Sequence, residues 1–310
     1  MTKLDDDSFL QQNKLPKGSM QLVDADASSK VLKETEGLSK TQSSGGSTAN
    51  TIHGLAYLGT PCGYIGKIGD DELGKFFQND MQQNNVNTTL FKSATKTGTA
   101  IALISPDSER TFATHLGAAV ELSANDLSAE NFKGYDYLHL EGYLVFNEEL
   151  ILSAAKLAKQ EGLKIALDLA SFNVVEAKLD FLKMLVREYI DIVFANEEEA
   201  KAFTGKEPEA ALEEISTMSE IAVVKIGSKG SLIKHQGKKY EVGIIDVKPV
   251  DTTGAGDLYA SGFLYGLTKN LSLDKCGQIG AILSGNVIEI IGSKMTDETW
   301  KEIREKINNI

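Results

Sequence analysis

The segment Asp251–Asp257, which reads Asp-Thr-Thr-Gly-Ala-Gly-Asp, combines the residue types of an anion site with a carboxylate. Gly254, Ala255 and Gly256 stand where an extended segment turns into a predicted helix, so a ligand can approach the backbone closely. The free N–H groups of a first helical turn suit a phosphate, or the charge that develops in phosphoryl transfer. Asp257 lies in the same turn, where the helix dipole favours its ionised form, and it can accept a proton from a substrate hydroxyl. Taken alone, a tight turn with a dipole-complementing acid explains these residues equally well.

Other nucleotide and metal motifs are missing from the sequence. Each Gly-Lys pair is followed by a residue other than Ser or Thr, so no P-loop is present. A dinucleotide fingerprint lacks its third glycine, because position 259 is Tyr. The histidines have no spacing typical of zinc ligands, and a serine triad has no local support.

The elements that must position these residues follow a pattern of alternating strands and helices. Helices are predicted over 24–36 and 47–59, and a strand over Cys62–Ile68. A hairpin is predicted from 97 to 114 with its turn at 106–108, and we expect an antiparallel lid from segments of about 38–44 and 88–116.

From Asn125 onward, buried strands are predicted over 135–140, 164–169, 191–195 and 221–226, and helices over 148–160 and about 173–189. Three further helices end the chain at about 255–268, 272–290 and 296–308. This order predicts one α/β domain over 1–310, with a mostly parallel sheet covered by helices on both faces. Glu141 follows a strand at its carboxyl end, where such sheets bind ligands, although it can equally cap a loop.

The composition narrows the classes of partner. The chain has 310 residues with 44 acidic and 32 basic side chains, a net charge of −12. An acidic chain without a basic run argues against nucleic acid or an anionic membrane as the main partner. Two cysteines cannot form a disulfide framework, and no apolar stretch is long enough for a membrane helix. We therefore expect a cytoplasmic protein.

Two long segments resemble the signatures of the PfkB, or ribokinase-like, family of carbohydrate and nucleoside kinases. Asp251–Leu264 resembles its C-terminal signature, and the run from Gly45 to Gly74 resembles its N-terminal one. Segments at 196–199 and 224–230 continue the match. Details at 16–20, 43–47 and 140–143 resemble the bacterial adenosine-kinase-like branch. The resemblance implies a ribokinase-like three-layer α/β/α sandwich with a mostly parallel central sheet and a small β lid.

The resemblance also implies an ATP-dependent phosphotransferase acting on a hydroxymethyl group of a sugar or nucleoside. Asp257 would be the base, and the amides of Gly254, Ala255 and Gly256 the anion hole. The implied substrate residues, each with a bland structural alternative, are Gly45, Gly46, Asn50, Lys67 and Glu141. The implied nucleotide-binding residues are Lys225, Gly227, Gly230 and Asn286. Many relatives carry Thr where this chain has Lys225.

Metal sites are implied by the same resemblance. Asn196 and Glu199 would help to hold Mg²⁺ through water, although from the residues alone an N-cap followed by an acid is the simpler interpretation. Asp251 and Thr253 correspond to a K⁺ site in many members. The expected partner is a small sugar or nucleoside, and the protein is expected to be a monomer or a homodimer formed through the lid.

The first residues lack the apolar strand with which members of this family begin. Met1 is followed by a polar segment, with a helix-like pattern over 5–15. We therefore expect that a first strand precedes Met1 in the natural protein. Two alternatives to a kinase stay open, a non-catalytic nucleotide- or sugar-binding protein and a nucleotide-dependent oxidoreductase. The acceptor is not determined by the sequence.

Overall fold

A computed structural model describes residues 1–107 and 109–310 of the chain. Its strands are β1 (Thr2–Lys3), β2 (Met20–Leu22), β3 (Cys62–Gly69), β4 (Val86–Ser93), β5 (Thr99–Ile104), β6 (Arg110–His115), β7 (Tyr137–Glu141), β8 (Lys164–Asp168), β9 (Ile192–Asn196), β10 (Ile221–Lys225), β11 (Ser231–His235) and β12 (Lys238–Val242). Its α-helices are α1 (Ser8–Gln12), α2 (Ala25–Glu34), α3 (Ser47–Tyr57), α4 (Glu72–Gln83), α5 (Glu148–Gln160), α6 (Phe172–Ala177), α7 (Leu179–Tyr189), α8 (Glu197–Thr204), α9 (Pro208–Ile215), α10 (Ala255–Thr268), α11 (Leu273–Val287) and α12 (Asp297–Asn308).

One compact unit, called unit 1, comprises Met1–Gly45, Tyr64–Gln83 and Asn87–Leu122. Its four-stranded sheet has the order β1-β5-β6-β2. Strands β5 and β6 pair antiparallel, which confirms the predicted hairpin. Buried apolar residues of the sheet and of the N-terminal helices, among them Leu10 and Leu103, form the core of this unit.

The sheet of unit 1 differs from the predicted antiparallel lid. The outer strands β1 and β2 run parallel to their neighbours β5 and β6. Segment 38–44 forms no strand, although Lys40 makes an isolated bridge with Thr2. The predicted helix over 5–15 is reduced to α1. Strands β1 and β2, on either side of it, are too short to show an alternating pattern in the sequence. In the predicted turn at 106–108, Ser108 lies outside the described residues.

The second compact unit, called unit 2, comprises Gly46–Gly63, Asn84–Val86 and Ser123–Ile310. Its six-stranded sheet has the order β12-β11-β10-β9-β8-β7. Strands β7 to β10 pair in parallel, and β11 and β12 complete the sheet as an antiparallel hairpin. The mostly parallel α/β sheet predicted from the sequence is therefore confirmed. Strands β3 and β4 pair separately as a two-stranded sheet, and most of both belongs to unit 1.

Several helix predictions are confirmed, and one is wrong. Helices α5 and α10 have the predicted limits, and α3 ends just before Gly59, whose φ is +78°. The helix predicted over 173–189 is divided into α6 and α7, because Lys178 leaves the helical conformation at φ −133° and ψ 28°. In the described ranges, no helix is both long enough and apolar enough to cross a membrane. The prediction of one domain over 1–310 stays a prediction.

Candidate active site

Four polar residues end four neighbouring parallel strands of unit 2. Glu141 ends β7, Asp168 ends β8, Asn196 ends β9 and Lys225 ends β10. The registers place Glu141 opposite Asp168 and Lys225 opposite Asn196. Open α/β sheets bind ligands at this carboxyl edge. The sequence interpretation missed Asp168, although an acid in the apolar run from Ile165 to Leu169 is a usable signal.

The carboxylate of Asp257 is held by the first turn of α3. The hydroxyl of Ser47 donates to Oδ1 at 2.7 Å, and the side-chain amide of Asn50 donates to Oδ2 at 2.8 Å. Helix α3 packs closely on α10 at Gly54, where a Cβ atom would lie 2.3 Å from the hydroxyl of Ser261. The glycine at this crossing therefore allows α3 to bring two donors to Asp257.

The pKa of Asp257 is shifted in the direction opposite to the one expected from the helix dipole. Burial raises the pKa of this carboxyl above its ordinary value, while the hydrogen bonds from Asn50 and Ser47 lower it in part. Desolvation disfavours the charged form, and here it outweighs the favourable donors. A raised pKa makes the carboxylate a better proton acceptor once it is ionised.

Asn50 uses both ends of its side-chain amide. Its Nδ2 donates to Asp257, and its Oδ1 accepts a hydrogen bond of 2.8 Å from the hydroxyl of Ser293. Asn50 is buried, with 8% of its surface exposed. The predicted substrate residue is thus placed where it orients the candidate base. Ser47 and Ser293 were missed, because nothing local in the sequence distinguishes them from other serines.

The turn before α10 leaves two backbone N–H groups of the described residues without a hydrogen bond. Gly254 is the N-cap residue at φ +79°, and the N–H of Ala255 donates to the carbonyl of Thr252 at 3.2 Å. Within the described ranges, the N–H groups of Gly254 and Gly256 make no hydrogen bond. Two of the three predicted anion-hole amides are therefore available to a ligand.

Lys225 and Asp168 form a buried ion pair. The Lys225 ammonium lies 2.9 Å from Oδ2 of Asp168, and the two side chains are 16% and 11% exposed. Burial by itself would lower the pKa of Lys225, but the carboxylates of Asp168 and Glu199 raise it above its ordinary value. Burial likewise opposes the ionised form of Asp168, but the charge of Lys225 keeps its pKa below the ordinary value. Both members of the pair are therefore charged.

Asn196 and Glu199 form a reciprocal capping box at the start of α8. Asn196 accepts from the backbone N–H of Glu199, and Glu199 accepts from the N–H and the side-chain amide of Asn196. Burial raises the pKa of Glu199 to about 7, against the opposing charge of Lys225. These oxygens suit a hard cation held through water, and the carboxylate of Asp168 adds to this oxygen-rich set. Within the described ranges, no group of three or more His, Cys, Asp or Glu side chains could hold a metal directly.

Glu141 caps helix α3 from the end of β7. Its Oε2 accepts from the backbone N–H of Thr48 at 3.0 Å and from the Thr48 hydroxyl at 2.8 Å. Gly46, the N-cap residue of α3, has no side chain to fill this role. Glu141 therefore caps a helix, and its role as a substrate residue stays a prediction.

The predicted nucleotide residues lie on the turn after β10 and on α11. Gly227 and Gly230 have φ values of +56° and +97°, and a Cβ atom on Gly230 would lie 1.9 Å from the carbonyl oxygen of Val242. Asn286 is buried, and its amide donates to the carbonyl of Ile282 at 2.7 Å. This contact lies within its own helix, and the nucleotide-binding role of Asn286 stays a prediction.

Two of the remaining predicted residues, Asp251 and Lys67, make hydrogen bonds to backbone groups. Asp251 accepts from the N–H of Thr253 at 3.0 Å and from that of Gly292 at 2.7 Å, which links two loops at the predicted K⁺ site. In unit 1, the ammonium of Lys67 donates to the carbonyl of Glu121 at 3.1 Å. Gly45 ends the first segment of unit 1, and Gly46, at φ +107°, begins unit 2. The K⁺ and substrate roles of these residues stay predictions.

The site combines a buried carboxylate with the amides of a first helical turn, near the carboxyl edge of a parallel sheet. This arrangement is typical of enzymes that transfer a group. The model of the pfkB family carbohydrate kinases matches residues 19–299, and the chain belongs to this family. Its fold is therefore that of the ribokinase-like sugar and adenosine kinases.

Three relatives illustrate the family's range. The adenosine kinase structure from Sinorhizobium meliloti is 33% identical, with a TM-score of 0.86 over 98% of this chain and 94% of that one. A ribokinase from Haemophilus influenzae is 27% identical over 84% of this chain and 86% of its own length. A 5-dehydro-2-deoxygluconokinase from Shouchella clausii is 28% identical over 84% of this chain and 85% of its own length. The family acts on small sugar or nucleoside substrates, whereas the predicted location and oligomeric state stay predictions.

Proposed function

We propose that the chain transfers the γ-phosphoryl group of ATP to a hydroxymethyl group of a sugar or nucleoside. The carboxylate of Asp257 accepts the hydroxyl proton while the oxygen forms a bond to phosphorus. The bond between phosphorus and the oxygen that bridges the β- and γ-phosphates breaks, and ADP leaves with that oxygen. The amides of Gly254 and Gly256 bind the charge on the transferring group.

The observation that carries this proposal is the setting of Asp257. The carboxylate is held through both oxygens by Ser47 and Asn50, and it lies in the same helical turn as the donors of Gly254 and Gly256. A purely dipole-complementing acid needs neither of the two side-chain donors from α3. The arrangement orients a base toward an anion site, as phosphoryl transfer requires.

Mg²⁺ is the cofactor that the family implies, and oxygen donors suited to it are present in unit 2. Asn196 and Glu199 would hold the ion through water, with the carboxylate of Asp168 near them. When bound, Mg²⁺ neutralises phosphate charge. The protein's own part is to orient the acceptor hydroxyl and to accept its proton at Asp257.

A coupled ADP-release assay with ATP and Mg²⁺ tests the proposal. The acceptor panel is adenosine, inosine, ribose, fructose and 5-dehydro-2-deoxygluconate, which spans the activities of the relatives. We expect turnover with at least one acceptor, and phosphate on its hydroxymethyl oxygen by NMR. Nucleotide binding without turnover of any acceptor would favour a non-catalytic binding protein instead.

A further inference from the structure

Lys225 is a buried lysine at the centre of the site, and its ion pair with Asp168 does not account for all of its contacts. Lys225 is the last residue of β10, and its side chain extends toward α10. A Cβ atom built on Gly256 would lie 3.1 Å from Nζ of Lys225. The ammonium therefore lies over the first turn of α10, next to one of the two amides without a hydrogen bond. A lysine needed only to pair with Asp168 has no reason to face this turn.

The charges around Lys225 also point to a ligand. The ammonium interacts electrostatically with three carboxylates, those of Asp168, Glu199 and Asp257. An anionic phosphoryl group at the turn of α10 would meet repulsion from these acids, and the ammonium of Lys225 lies beside this turn. Its positive charge would offset that repulsion.

We propose that Lys225 is a further catalytic residue, which contacts the transferring phosphoryl group and stabilises its charge, and that Asp168 is the positioning residue that holds the ammonium in place. This inference rests on the proposed function. Lys225 stays protonated throughout, so it adds no proton transfer to the reaction. The lysine acts together with the amides of Gly254 and Gly256, which supply neutral donors to the same group.

A purely structural ion pair makes different predictions from a catalytic one. Replacement of a buried pair by apolar groups is often neutral or stabilising, whereas loss of one partner leaves a buried charge. A structural role would therefore change the melting temperature of the variants and leave the turnover of the folded protein unchanged. A catalytic role would reduce kcat in a folded variant, with KM values close to those of the wild type.

The test compares Lys225→Met, Lys225→Arg and Asp168→Asn with the control Lys201→Met. Lys201 forms an ion pair of 2.8 Å with Glu207 on the exposed surface of α8, and its side chain is 62% exposed. We expect Lys225→Met to lower kcat about 10²–10³-fold, the usual cost of a lost transition-state donor, with KM values within a few-fold. Lys225→Arg should recover at least tenfold over the Met variant, because it restores the charge. Asp168→Asn should lower kcat less than Lys225→Met, and the control should match the wild type.

Each outcome decides between the alternatives. If the wild-type chain turns over none of the acceptors, the proposed function itself fails. If the wild type is active and Lys225→Met keeps its kcat, the inference about Lys225 fails while the proposed function stands. A loss of kcat that follows a fall in melting temperature and is not recovered by Lys225→Arg also overturns the inference, because a structural role explains it.

Discussion

Asn50 donates a hydrogen bond of 2.8 Å to the carboxylate of Asp257, a residue 207 positions further along the chain. The carbonyl oxygen of the same amide accepts from Ser293, so the amide cannot rotate without the loss of both bonds. The geometry of the candidate base therefore depends on one asparagine from α3.

Asn50→Ala should move the pH dependence of kcat/KM. The hydrogen bond from Asn50 favours the ionised carboxylate, so its loss raises the pKa of Asp257 beyond the rise that burial already causes. A base must be ionised, and activity rises with pH through its pKa. The rising limb of the profile should therefore shift to higher pH. Asn79→Ala, on the exposed side of α4, is the control. If the rising limb of the pH profile is unshifted in Asn50→Ala, the hydrogen bond from Asn50 does not affect the pKa of the base.

Asp257→Asn should abolish most of the turnover and spare nucleotide binding. The amide cannot accept the proton, and general-base catalysis contributes about 10²–10⁴-fold. We expect kcat to fall by that factor while the affinity for ATP, measured by calorimetry, stays within a few-fold. Near-normal turnover in this variant would mean that another group is the base.

Glu141→Ala should destabilise α3 and disturb Asp257 indirectly. The Glu141 carboxylate accepts from the N–H and the hydroxyl of Thr48 and so caps this helix. The substitution removes this acceptor. Loss of a capping acceptor costs about 0.5–2 kcal/mol of unfolding free energy, measurable by urea denaturation. Because α3 carries Ser47 and Asn50, kcat should fall as well. Glu141→Gln keeps one acceptor oxygen and should show smaller changes. Equal effects of the two substitutions would contradict a capping role and indicate that the charge itself matters.

Glu199 should make the protein less stable as the pH rises toward neutrality. Its pKa is raised from 4.5 to about 7 in the folded state, so the folded protein binds its proton more tightly than the unfolded chain. The stabilisation that this provides is fully present below about pH 4.5 and is lost as the pH rises to about 7. Urea unfolding of the wild type and of Glu199→Gln between pH 5 and 8 measures the difference. In Glu199→Gln, the free energy of unfolding should not show this decline between pH 5 and 7. An identical dependence on pH in both proteins would show that the pKa of Glu199 is not raised.

The sequence predicted the site best where its chemistry is local. Asp257, Gly254 and Gly256 share one turn, so their proximity follows from the start of α10. The capping box of Asn196 and Glu199 is equally local, with a spacing of three residues. Strands β7 to β10 were predicted because their buried apolar runs are long, and the parallel order brings their last residues to one edge.

Contacts between segments that are distant in the sequence could not be predicted from it. No local pattern indicates that Ser293 bonds to Asn50, or that Glu141 caps α3, since both contacts depend on how helices and strands pack. The ion pair between Asp168 and Lys225 could not be predicted for the same reason, because only the strand order brings the two side chains together. The short strands β1 and β2 gain their pairing from β5 and β6 and show no periodicity of their own.

The partners of Asp257 have a consequence for the protein during its synthesis. Asn50 leaves the ribosome before its two partners, because Asp257 and Ser293 follow it by 207 and 243 residues. A nascent polypeptide therefore carries the donors of α3 long before it has the base to which they bond. The proposed proton-accepting site therefore cannot form until the segment from Asp257 to Ser293 has been translated.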